Sequence, residues 1–143
     1  MKRLFIYLLI LPTLSILSGC LTQANQGGEA GDIVKQVHQA FKDHNWDAIM
    51  PLYDKKFFQN RSKEQWLKEL KQMTAALGPL KSVQPTFQQK DPRFGGDFYL
   101  FGSLLKYEHA SLSETLTIYQ GIDAEHMTIS GHLLKLRKHG TQP

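Results

Sequence analysis

The residues best able to do chemistry are few and scattered. Cys20 is the only cysteine in the chain, and it follows Leu17, Ser18 and Gly19 at the end of an apolar run. Six histidines are present: His38, His44, His109, His126, His132 and His139. None of them falls at metal-binding spacing, such as two histidines one helical turn apart around a glutamate. Their plain reading is solvated or hydrogen-bonded side chains, with His109 and His132 singled out because they lie in strands. Asp97, Glu114, Tyr53 and Tyr99 are the groups from which a carboxylate base and a neutral oxyanion donor would be drawn. Glu114 opens a strand, where an exposed carboxylate or one paired with a lysine is expected. No catalytic residue, metal or cofactor is assigned on this pattern.

The elements around Cys20 define a leader. Lys2 and Arg3 precede Leu4 to Leu11, then Pro12, Leu14, Ile16 and Leu17. A positive start, an apolar centre and a small-residue end form a secretory signal. The apolar part is about 14 residues, roughly 21 Å as a helix, against a hydrocarbon core of ~30 Å. Leu17-Ser18-Gly19-Cys20 resembles the lipobox of bacterial lipoproteins. The resemblance implies thioether lipidation of Cys20, cleavage after Gly19 and acylation of the new N-terminus. Acyl chains on that residue would hold the protein on a membrane. Leu21, where an aspartate resembles an inner-membrane retention signal, points to the outer membrane, facing the periplasm. The expected division is a signal at 1–19, the lipidated cysteine and a flexible tether at 20–31, one domain at 32–136 and a basic tail at 137–143.

The whole chain carries a formal charge of +4, with 17 Lys and Arg against 13 Asp and Glu. Without Lys2 and Arg3 the balance is 15 against 13, or +2. Those charges are spread rather than clustered on one face, which excludes a nucleic-acid partner. With Cys20 acylated no disulfide can form, so the domain relies on one hydrophobic core.

Asp32 is placed to cap a helix carrying Ile33, Val37, Ala40 and Phe41, ending near His44-Asn45. A second helix carries Trp46, Ile49, Met50 and Tyr53, and Pro51 makes it short or kinked. Ser62 and Gln65 form a capping box for a third, with Trp66, Leu70, Met73 and Leu77 on one stripe. Gly78-Pro79 stops that helix. Four strands follow. The first runs from Leu80 to Gln89, demoted to an edge by Pro85, and the loop Asp91 to Gly96 follows it. The second, Phe98 to His109, is apolar on both faces and should be covered on both. The third is Thr115 to Gln120, and the last is Met127 to Leu136, with Ile129 and Leu133 on the face opposite His132.

The fold class is therefore α+β: three N-terminal helices on a curved four-stranded antiparallel sheet. That order resembles the nuclear transport factor 2-like fold, whose members include SnoaL-like cyclases and ketosteroid isomerases. The carrying residues are Trp66-Leu67, Leu77-Gly78-Pro79-Leu80-Lys81-Ser82, Glu114-Thr115-Leu116 and Ile129-Ser130-Gly131-His132. The resemblance implies a cone-shaped pocket and a sheet face that often dimerises, here through Tyr107, Thr117 and Tyr119. Tyr53, Tyr99, Phe101 and His132 are the candidate pocket residues. The expected role is a lipid-anchored, non-catalytic domain that binds an envelope protein partner or a small apolar ligand. The alternative is an isomerase- or cyclase-like enzyme using the cone.

Overall fold

The computed structural model describes residues 28–137. The leader, the Leu17-Ser18-Gly19-Cys20 stretch, most of the tether and the tail beyond Arg137 lie outside the described residues.

Helix α1 spans Glu29–Asp43 and buries Ala30, Ile33, Val37, Ala40 and Phe41, the stripe that helical spacing predicts. It starts four residues earlier than expected, so Asp32 sits in the first turn rather than at the cap and pairs with Lys35 at 2.8 Å. The early start has a tertiary cause: Ala30 is fully buried, and the Glu29 carboxylate accepts from the Met127 N–H. His44 ends the helix in the left-handed region (φ 54°), its N–H donating to the Ala40 carbonyl.

The expected second helix is instead three 3₁₀ turns, Trp46–Ala48, Met50–Leu52 and Lys55–Phe58. Pro51 removes an N–H donor there, and short 3₁₀ pieces tolerate this better than an α-helix does. Asp54 caps the last turn by accepting from the Lys56 N–H at 2.7 Å. Helix α2, Lys63–Ala75, carries the predicted capping box in full: Ser62 Oγ accepts from the Gln65 N–H, and the Gln65 side chain accepts from the Ser62 N–H. Gly78 then turns the chain at φ 74°.

Four antiparallel strands follow in the order β1-β2-β3-β4: β1 Leu80–Arg93, β2 Gly96–Tyr107, β3 Ser111–Gly121 and β4 Thr128–Arg137. β1 is an edge, as Pro85 requires, and bulges between Pro85 and Phe87. It also runs through the expected loop, leaving only Phe94-Gly95 between Arg93 and Gly96. Gly96 (φ 146°) admits no side chain, because a Cβ would sit 2.2 Å from the Gln120 carbonyl oxygen.

One face of the sheet shares a core with the helices through Phe101, Leu105, Tyr107, Leu112, Leu116, Ile118 and Ile129. The other face of β2, with Phe98, Leu100 and Leu104, is half-buried rather than covered. Tyr107 belongs to the core side, so it does not share a face with Thr117 and Tyr119. In β4 a register shift opposite Thr117 and Ile118 makes Ser130 an extra residue. The shift turns His132 onto the same inward side as Ile129, against the expected alternation, and leaves Leu133 exposed.

Candidate functional site

Between the helices and the sheet runs a chain of four polar side chains. Glu114 lies in β3 between Leu112 and Leu116, at a position whose neighbours along the face are core residues. Its carboxylate is fully buried and accepts two hydrogen bonds, from His38 Nε2 of α1 at 2.5 Å and from His132 Nε2 of β4 at 3.0 Å. Tyr53, from the 3₁₀ segment, meets His132 Nδ1 at 2.7 Å. With the Nε2 proton of His132 pointing at Glu114, Nδ1 is the acceptor and the Tyr53 O–H donates; this tautomer is assigned from the network.

Each partner reaches the site for a separate local reason. The β4 bulge aims His132 inward, with Ser130 Oγ donating to the Thr117 carbonyl. Tyr53 is pinned to the β4 edge by its bridge to Ile129 and by the Asp54 N–H donating to the Ile129 carbonyl. His38 flanks the buried stripe of α1 and keeps 16% of its side chain exposed.

Burial of Glu114 pushes its carboxyl upward, but the hydrogen bonds from His132 and His38 outweigh it and hold the group at about 2. Glu114 is thus an anion throughout the neutral range. Burial pushes the Tyr53 hydroxyl up, so it stays protonated and able to donate. Tyr107 is pushed up in the same way, by burial first and the Glu114 charge second. Its hydroxyl and Trp66 Nε1 have no hydrogen-bond partner among the described residues.

Aromatic rings seal the inner end. His132 stacks on Tyr53 and meets the Trp66 and Phe41 rings at 5.4 and 5.8 Å. The Arg61 guanidinium lies 4.3 Å over the Trp66 ring.

The outer end opens at His38 onto a groove of about 400 Å³ between α1 and strands β1 and β2. Val34, Val83 and Phe101 supply its apolar lining, with Ser103 beside them, while the β1 bulge turns the Phe87 ring to the opposite sheet face, over Gly102. A Cβ at Gly102 would fall 2.1 Å from the Phe87 ring, so a side chain there would displace that ring.

Of the candidate pocket residues, Tyr53 and His132 meet in the buried chain, and Phe101 lines the groove. Tyr99 joins neither; it is half-buried beside the Lys90 ammonium, 5.3 Å from its ring centre. Asp97 is paired with that same lysine at 2.6 Å. His109, the other strand histidine considered, is exposed. Glu114 is neither exposed nor paired with a lysine, which corrects the sequence expectation, and His38 is mostly buried against its carboxylate. The alternation Leu112, Glu114, Leu116, Ile118 was the available signal for Glu114. Among the described residues no group of three or more metal-ligating side chains is arranged to hold an ion, and no helix is long and apolar enough to cross a membrane.

No protein-family model matches the chain, and no curated protein matches it. Among solved structures, the chain is similar to Bdellovibrio bacteriovorus Bd1075, at 13% identity and a TM-score of 0.55 over 80% of this chain. The match covers 41% of Bd1075, so the chain spans about two-fifths of that protein's length. At that identity the likeness bears on fold alone: this is an α+β chain with a four-stranded antiparallel sheet, similar in fold to part of Bd1075.

Proposed function

We propose that the protein is a lipid-anchored envelope protein whose domain, a nuclear transport factor 2-like cone, binds a small apolar ligand or a protein partner without transforming it. Its place is the outer membrane, facing the periplasm, held through acyl chains on Cys20. The observation that carries the binding role is the groove beside α1, open and apolar, with Val34, Val83 and Phe101 on its lining. Its volume of about 400 Å³ falls within the range of small-molecule sites. A second copy of the chain is a further partner, meeting it through the outer sheet face around Phe98, Thr117 and Tyr119.

The buried carboxylate favours a second reading, an isomerase- or cyclase-like enzyme. Two features count against it. Glu114 is sealed from the groove, and a carboxyl held at about 2 is a weak base at neutral pH. His38, the member that reaches the groove, already directs Nε2 at Glu114.

The test is a titration of decanol into the fluorophenylalanine-labelled full-length chain in nanodiscs, followed by fluorine NMR. The Phe101 resonance should shift in a saturable way while that of the exposed Phe94 stays in place. If Phe101 does not respond, the groove is not a ligand site.

A further inference from the structure

The groove does not end at its apolar floor. It continues along α1 into a second cleft, and the two share Lys35, His38 and Val83. Gln39, Lys42, Leu80, Lys81 and Ser82 complete that cleft. No aspartate or glutamate lines either part.

The cationic groups there are unequal. Lys35 is paired with Asp32 at 2.8 Å, and Lys81 with Glu108 at 2.8 Å. Lys42, in the last turn of α1, has no acidic partner among the described residues. His38 stands where the two parts meet, its inner nitrogen anchored on Glu114. The cavity therefore has an apolar end and a cationic end along one helix.

We propose that this continuous cleft binds a single-chain amphiphile with a carboxylate head, a free fatty acid. This rests on the groove being a ligand site and adds the chemistry of what it takes. The acyl chain lies against Val34, Val83 and Phe101. The carboxylate faces Lys42, where a negative head replaces a missing partner. Taking a methylene as about the size of a water, ~30 Å³, the groove of about 400 Å³ holds about a dozen such groups, which suits one medium-length chain.

The probes are decanoate, decanol and decyltrimethylammonium, each titrated into the full-length chain in nanodiscs with the Phe101 fluorine resonance as readout. Decanoate should bind at least tenfold more tightly than decyltrimethylammonium. Lys42→Glu, a change on an exposed helical position, should weaken decanoate about tenfold and leave decanol unchanged. Val83→Asp should weaken decanoate and decanol alike. Equal affinity for all three probes, or indifference of decanoate to Lys42→Glu, overturns the fatty-acid assignment while leaving the groove as an apolar site. Absence of saturable binding by any probe removes the groove reading itself. Displacement of decanoate by a glutamate-rich peptide at lower concentration than by decanoate itself would make the occupant a protein segment and also overturn the proposal.

Discussion

Glu114 occupies a position that alternation reserves for an apolar side chain, so its charge must be offset locally. An isolated buried carboxylate costs several kcal/mol, and good hydrogen bonds are what make the burial tolerable. The two histidine donors supply that compensation, and the Tyr53 hydroxyl completes His132 on its far side. The pH consequence has a definite sign. The folded-state pKa of Glu114 is about 2, below the ordinary value of 4.5, so its contribution is complete above 4.5 and is lost as pH falls from there through 2. Fully expressed, that contribution is on the order of 3 kcal/mol. Urea midpoints measured from pH 6 down to about 2 should fall more steeply for the wild-type chain than for Glu114→Gln. Parallel curves would show that the carboxylate is not the group responsible. At neutral pH Glu114→Gln should be the less stable protein by about 1–3 kcal/mol, because the amide puts a donating NH2 where one histidine meets the second carboxylate oxygen.

At the scale of elements, local signals and long-range pairing share the work unevenly. The Ser62–Gln65 capping box is a local device, written in four consecutive residues and present as expected. Ser62→Ala should cost about 1 kcal/mol, read from thermal or urea unfolding. An unchanged midpoint would mean that tertiary contacts alone set where α2 begins. The β4 bulge is the opposite case. Met127 to Leu136 can be threaded in either alternation, and nothing in Ser130-Gly131 marks which residue is left unpaired. Pairing with β3 decides it, and one extra residue there reverses the facing of His132 and Leu133. The 3₁₀ segment lies between these cases. Pro51 forecasts a broken helix, but only the bridge from Tyr53 to Ile129 brings the Tyr53 hydroxyl to His132.

At the scale of the whole molecule, the proposed anchor and the outer sheet face make separate predictions. Cys20→Ala should abolish incorporation of labelled fatty acid and release the protein from the membrane fraction; labelling that persists would refute lipidation at that sulfur. Association through the outer sheet face should appear as a monomer–dimer equilibrium in sedimentation, weakened by Tyr119→Lys. Sedimentation as a monomer at high protein concentration would remove the dimer. The Phe98–Tyr119 ring pair at 4.8 Å and the half-exposed Leu133 are the apolar surface on which that association would rest.

The sequence by itself determined the expectations of leader and anchor, the order of helices before strands, the stripes of α1 and α2, the edge character of β1 and the glycine turn at Gly78. These depend on composition, helical periodicity and the restricted backbones of proline and glycine, all properties of neighbouring residues. Only the tertiary structure decided that His38, Glu114, His132 and Tyr53 form one chain ending at a groove. His38 and Glu114 are 76 positions apart, and Tyr53 and His132 are 79. Their meeting depends on strand register, a bulge and a bridge. Those are set by which groups pair across the fold, and no local pattern records that pairing.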